Sequence, residues 1–291
     1  MMKSTLAGLF LLCATAFAAR AEPAPSYQFQ AVGQYAGPDV DLDDPKNAAL
    51  AADPRLDMPD KDKRLATMSA AGLLVHQPDG SYAQTFPVID RAAGKAIAAI
   101  DPGLAERMAK MIEAHAKELR AKAPDVPALI LFSDIPFDRW QVRNVRSQFL
   151  GGYPPPRAGK EFYIADIEEG AAGFYSHDEQ SLGDVTLVTY GKSPVTTVTT
   201  EQLAGSPTIK RSTYAKLPEL ASSLTADLIA LLEADRPVLE AAYRASPLSR
   251  TTSFREFGLW WYHFLYAEAT ARLIEDKLID KPDALLVVTP D

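Results

Sequence analysis

One run near the C-terminus leaves this chain little choice of fold. Residues 257–267 (FGLWWYHFLYA) hold a single polar side chain, His263, and follow Ser253, Phe254, Arg255 and Glu256, the S-x-x-E spacing of a helix capping box. A helix apolar on every side has no face for water, so other elements must enclose it. It is also shorter than the roughly 20 residues that cross a bilayer. It therefore reads as a buried core helix running to about Leu278, and the rest of the chain has to wrap it.

The wrapping elements are legible by period. Asp101 is a natural N-cap with Pro102 in the first turn, and Leu104, Met108, Met111, Ile112, His115 and Leu119 share one face of a helix over 101–122. Glu106 with Lys110 and Glu113 with Lys117 make i,i+4 pairs on its outer side. Leu220, Leu224, Leu228, Leu231 and Leu232 mark another helix, which Pro237 must break or kink. Between them, β-branched and aromatic residues predict antiparallel strands over 162–167, 173–176, 184–190 and 195–200, and 284–289 reads as a last strand. The apolar stretch 128–132 reads as a strand, and 138–149 as a helix stopped by Gly151 and Gly152, after which Tyr153 and three prolines enforce an extended segment. The class is α+β: a mainly antiparallel sheet packed with long helices.

Ahead of it, residues 62–71 predict a helix, 73–76 a strand, 77–80 a turn ending in Asp79 and Gly80, and 82–88 the return strand. With the helix over 101–122, this order resembles the winged-helix module of transcription regulators, a likeness of element order across 62–122 without a shared motif. A DNA-binding hairpin presents Arg or Lys to phosphates, and residues 73–90 contain neither. The prolines and the helix end at 121–127 suggest a boundary. The expected organisation is a leader over 1–21, an extended acidic arm over 22–61 with a short strand near 27–32, a helix-hairpin-helix module over 62–125 and an α+β domain over 126–291.

The leader has the three parts of a cleavable signal peptide: Lys3 in a short basic start, an apolar stretch over 6–17, and the small residues Ala19 and Ala21 about Arg20. Cys13 is preceded by Leu12, not by the small residue a lipid-modification site requires, so processing after Ala21 is expected without lipidation. That cleavage removes the only cysteine and leaves 270 residues without a disulfide, which suits a bacterial periplasmic or secreted protein. Loss of Lys3 and Arg20 leaves 28 basic against 38 acidic residues, a formal charge of −10. Such a balance opposes binding to nucleic acid or to an anionic membrane surface.

Common catalytic signatures are absent: the chain contains no HExxH, GxSxG, GxGxxG, Walker A or SxxK pattern. Asp39, Asp41, Asp43 and Asp44 begin like a calcium loop, but Asp44 stands where glycine makes the turn and Leu50 where a bidentate Glu belongs, so a solvated acidic stretch is the better account. Neither a metal nor a cofactor is expected. Two places could carry chemistry. His177, Asp178 and Glu179 stand together where a strand gives way to a loop, and could ligate a metal or act as acid and base, although alternate residues of a strand point to opposite faces and a polar turn between strands is the better account. His263 lies among Trp260, Trp261, Tyr262 and Tyr266, with Glu256 two turns earlier on the same face. Trp260, His263 and Tyr266 could wall a ligand pocket, against the plainer account of a hydrogen-bonded core histidine. The expected function is an exported, non-catalytic protein that binds an envelope partner or a small ligand. The alternative is a periplasmic hydrolase using His177 or His263 with nearby carboxylates. Expressed with its leader in a bacterium, the protein should be found outside the cytoplasm beginning at Glu22; mass spectrometry finding an intact Met1 or a diacylated Cys13 would refute this processing.

Overall fold

The computed structural model describes residues 25–32, 40–153, 163–171, 174–192 and 199–291. The leader, Asp39, Gly173 and most of the expected strand over 195–200 lie outside the described residues. The class is α+β, and none of the described helices is long and apolar enough to cross a membrane.

The N-terminal part is built on strand β1 (Tyr27–Val32) and two helices, α1 (Pro45–Ala52) and α2 (Lys61–Ala70). Helix α1 corrects the expected extended arm. Asp44 caps it by accepting from the backbone N–H of Lys46 at 2.8 Å, Pro45 occupies the first turn, and Ala48, Leu50 and Ala51 are buried. Acidic composition masked an N-terminal helix signal followed by five small or apolar residues, Ala48 to Ala52. These side chains join Leu65 and Met68 of α2, Phe29 of β1, Leu73, Leu74, Phe86 and Ile164 in a small separate core.

The expected hairpin forms from β2 (Leu74–His76) and β3 (Tyr82–Gln84), with Gly80 at φ +85° in its turn. The return strand is shorter than expected, because Pro87 has no N–H to continue the ladder. After it, β4 (Val88–Ile89) leaves the hairpin and pairs in parallel with β5 (Tyr163–Glu168), whose other edge pairs antiparallel with β1. That departure separates the structure from the winged-helix order. A short helix α3 (Arg91–Ala98), capped by Asp90, precedes α4 (Pro102–Lys122), which starts at its expected cap Asp101. Leu104, Met108, Ile112 and Leu119 of α4 share one core with Ala123, Val126 and Leu129, so residues on both sides of the suggested boundary at 121–127 pack together.

The segment 128–132, expected as a strand, is helical. A π-helical turn, Ile130–Asp134, runs directly into α5 (Ile135–Phe137), with all eight residues buried. Full burial removes the periodicity that separates a helix from a strand in sequence. The helix expected over 138–149 is present as α6 (Gln141–Asn144) and a second π turn, Val145–Phe149, and Gly151 and Gly152 end it at φ +75° and +108°. Strands β6 (Ser176–Leu182) and β7 (Val185–Gly191) follow. Where the strand over 195–200 was expected, Thr199 and Gln202 make the capping box of α7 (Thr200–Ala204). Then come β8 (Thr208–Lys210), α8 (Arg211–Tyr214), α9 (Leu217–Ala234), α10 (Arg236–Ala245), α11 (Phe254–Glu275) and β9 (Asp283–Thr289). Pro237 sits in the first turn of α10, just past the break from α9. The second sheet has the order β6-β7-β9-β8, antiparallel except where β8 meets β9.

Helix α11 is the centre of the larger core. Its capping box forms as expected, and every residue from 256 to 266 is buried. Gly258 permits close approach to the π-turn segment, since a Cβ there would stand 2.6 Å from Leu150 Cδ2. Trp261 is 2 % exposed and its ring lies 6.1 Å from that of Phe149. Trp261→Ala should destabilise the protein by about 3–5 kcal/mol, and Phe264→Ala by a similar amount. At roughly 2–4 °C per kcal/mol for a chain of this size, both variants melting within about 2 °C of wild type would contradict this placement of α11.

Candidate functional site

The first π turn determines what its helix presents to β6 and β7. Ser133, Asp134 and Asp138 come from this one segment, and each meets a polar group from another element. Ser133 Oγ lies 2.7 Å from Thr270 Oγ1 and 3.1 Å from the Tyr190 hydroxyl, all three side chains being fully buried. Asp134, also fully buried, accepts from Nδ1 of His177 at 2.9 Å. Asp138 accepts from the Tyr266 hydroxyl at 3.1 Å, and the Tyr190 hydroxyl also reaches it.

His177 is therefore held from both sides. Its Nε2 lies 3.5 Å from Glu179 Oε1, long for a hydrogen bond but close for an ion pair. Glu179 in turn pairs with Arg139 and accepts from the Tyr214 hydroxyl, and the Arg139 guanidinium covers the rings of Trp140 at 4.5 Å and Tyr214 at 5.4 Å. Burial alone would push the imidazole's pKa down, but the hydrogen bond to Asp134 and the close carboxylate of Glu179 outweigh it and raise it to about 9. The same contact with His177, helped by Tyr214 and Arg139, holds Glu179 down at about 2. At neutral pH, His177 is an imidazolium between two carboxylates. Burial, reinforced by the charge of Asp134, pushes Asp138 up to about 7.

His263, 7 % exposed, is the opposite case. Its Nδ1 lies 2.8 Å from the Leu259 carbonyl, which can only accept, so Nδ1 carries the proton. Burial pushes its pKa down to about 4, which leaves a neutral ring with an acceptor lone pair on Nε2.

These groups meet at one cavity of about 280 Å³, whose lining includes Asp138, Arg139, His177, Trp260, His263 and Tyr266. Both histidines singled out in the sequence thus line the same space, as do all three residues expected to wall a pocket. Two expectations need correction. His177, Asp178 and Glu179 lie within β6, not in a loop, so His177 and Glu179 share a face while Asp178 turns away and accepts from Gln180. Glu256 does not line the cavity; its carboxylate serves the N-terminus of α11, accepting from Thr252 Oγ1 at 3.2 Å and from Ser253 Oγ at 3.3 Å. Asp134, Asp138, Arg139, Tyr190 and Tyr214 were not singled out. The i,i+4 spacing of Asp134 and Asp138 was the available signal, obscured because the preceding residues read as a strand.

Several buried polar atoms at this cavity have no hydrogen-bond partner among the described residues: Trp260 Nε1, the Tyr175 hydroxyl and His177 Nε2. A larger groove of about 930 Å³ runs between residues 124–129, α7, β8 and β9. Its Arg120 is already engaged with the carbonyls of Pro124 and Val126, and Asp125, Glu201, Asp280, Lys281 and Asp283 also line it. Among the described residues, no group of three or more His, Cys, Asp or Glu side chains is placed to hold a metal ion.

The two carboxylates about His177 account for its charge, and that is directly measurable. In an NMR titration its ring should change charge near pH 9, and Asp134→Asn should lower that midpoint by more than one unit; a wild-type midpoint at or below 6.5 would overturn the geometry. Comparison with known proteins adds no assignment: no protein family matches the chain, and no curated protein or solved structure does.

Proposed function

We propose that the mature protein is exported and acts as a non-catalytic binder of a small polar ligand, held in the cavity between β1, β6, the Asp138 segment and α11. One observation carries the reading: the aromatic side chains Trp260 and Tyr266 wall this cavity together with Asp138, Arg139, His177 and the acceptor-bearing ring of His263, so apolar surface and a few polar groups converge on one space. The volume suits a molecule of a few heavy atoms, near the lower end of ligand pockets, and the aromatic lining with a few converging polar groups is the usual composition of one.

The hydrolytic alternative has its own supporting observation, since Asp138, titrating near neutrality, and the neutral ring of His263 line the same cavity. Against it, His177 is too firmly protonated to serve as a base, and the Ser133 hydroxyl is engaged with Tyr190 and Thr270. Binding therefore accounts for more of the site.

Thermal melts of the mature protein against free amino acids, amines, hydroxy acids and monosaccharides at millimolar concentration test the proposal. At least one class should raise the melting temperature by several degrees, since a ligand at one hundred times its Kd adds about 2.7 kcal/mol. His263→Phe, which keeps a ring in the cavity wall and removes its acceptor nitrogen, should lose most of that gain. A panel in which no class stabilises the wild type, or an equal gain in the variant, would refute it.

A further inference from the structure

The charges around the cavity do not balance. Three carboxylates, Asp134, Asp138 and Glu179, face two cations, Arg139 and His177. Arg139 is paired with Glu179, and His177 lies between Asp134 and Glu179. Asp138 is left with hydroxyl donors only, from Tyr266 on α11 and Tyr190 on β7. The other groups acting on it are the like charge of Asp134 on its own helix and the imidazolium of His177 on β6. Lys192, just beyond β7, places its ammonium 5.5 Å from the ring centroid of Tyr175 and does not line the cavity. When Asp138 is ionised, the cluster carries one negative charge without a matching cation among the described residues.

The rest of the lining suits a cation. Phe174, Tyr175, Trp260 and Tyr266 supply aromatic rings, and the Phe174 centroid lies 6.2 Å from that of Trp260 and 5.8 Å from that of His263. Aromatic faces attract a positive charge through the ring quadrupole, most strongly where water is excluded. His263, with its proton fixed on Nδ1, offers Nε2 as an acceptor without positive charge. Arg139 and His177 also line the cavity, but both are already paired with Glu179 or Asp134, so an anion would have to compete with a carboxylate of this chain and would gain nothing from the rings.

We infer that the cavity binds a small organic ammonium compound, whose N–H groups donate to Asp138 and to Nε2 of His263 among the aromatic side chains. This rests on the ligand-binding reading above and specifies its chemistry. The Arg139 guanidinium in the lining adds a preference for an amine that carries an acceptor oxygen, and ethanolamine is the simplest such probe.

The inference has a pH signature. Protons and the ammonium compete for Asp138, so binding should be full above about pH 8 and weaken roughly tenfold per pH unit below the titration of this carboxyl near 7. His177 at about 9, Glu179 at about 2 and His263 at about 4 keep their charge state between about pH 5.5 and 8, so Asp138 is the one group of the site that changes there.

Isothermal titration of the mature protein with ethanolamine, ethylamine, tetramethylammonium, acetate and glucose, at about pH 8 and about pH 5.5, decides it. Ethanolamine should bind best, ethylamine less well, and tetramethylammonium, which has no N–H, at least tenfold more weakly than ethanolamine. Acetate and glucose should not bind. Acidification should weaken ethanolamine at least tenfold, and Asp138→Asn should weaken it similarly and abolish the pH dependence. Should that variant fail to fold, the pH dependence of the wild type carries the test. Ethanolamine binding equally at both pH values, or undiminished in a folded Asp138→Asn, overturns the inference. Binding of acetate or glucose without any amine overturns it while sparing the ligand-binding reading, and no binding by any probe in this or the thermal panel refutes both.

Discussion

A helix without a polar face imposes its needs on everything around it. Residues 256–266 of α11 are all buried, so α3, α4, α10, β5 and the first π turn close around the helix. Enclosure also requires partners for the polar atoms that such a sequence carries inward. Tyr262 donates to the carbonyl of Phe137 at 2.6 Å, Tyr266 to Asp138, and Thr270 to the Tyr266 carbonyl. Tyr262 and Tyr266 stand four residues apart on one face and reach neighbouring positions of the same segment. The contacts that make α11 tolerable in the core are those that orient Asp138. Trp260 Nε1 is left without a partner among the described residues.

The π turn is the second half of that arrangement. Each helical residue advances the face by ~100°, so one additional residue in a turn redirects everything beyond it. From the end of that turn, Asp134 and Asp138 stand one α-helical turn apart and serve different neighbours, one an imidazolium and the other a pair of phenols. Buried ion pairs contribute little net stability, because desolvation offsets the attraction. The His177 and Asp134 pair is better understood as fixing the position and charge of the imidazole, with Glu179, Arg139 and Tyr214 completing a chain of contacts to α8.

The sequence revealed those elements that have one wet face or a clear cap. Helix α4 declared itself through Asp101, Pro102 and the spacing of Leu104, Met108 and Ile112, and α11 through Ser253 and Glu256. It concealed the segment over 128–137, because uniform burial erases period, and with it Asp134 and Asp138, which join the two histidines into one site. It also concealed α1, whose aspartates read as a solvated stretch although Asp44 is a cap. The candidate list therefore held the cavity's aromatic wall and its two imidazoles but lacked the carboxylates between them. Glu256 caps α11 and accepts from Thr252 and Ser253, and it is not among the residues that line the cavity with His263.

The buried ionisable groups also set how the fold responds to pH. Asp166 on β5 is fully buried with neither oxygen partnered among the described residues, and burial pushes it up to about 8. For Asp138 and Asp166 the folded state holds the proton more tightly than the unfolded chain, so their contribution falls as pH rises from the ordinary 3.8 through about 7 and about 8. His177 acts in the same direction, its contribution intact below 6.5 and lost as pH rises through about 9. His263 and Glu179 act oppositely, losing stability as pH falls from 6.5 through about 4 and from 4.5 through about 2. Above 6.5, then, the three groups that still titrate all weaken the fold, and the optimum set by these five groups lies on the mildly acidic side. An ammonium bound at Asp138 would neutralise the first of them from outside, so the imbalance that defines the site also ties its occupancy to the stability of the core around α11.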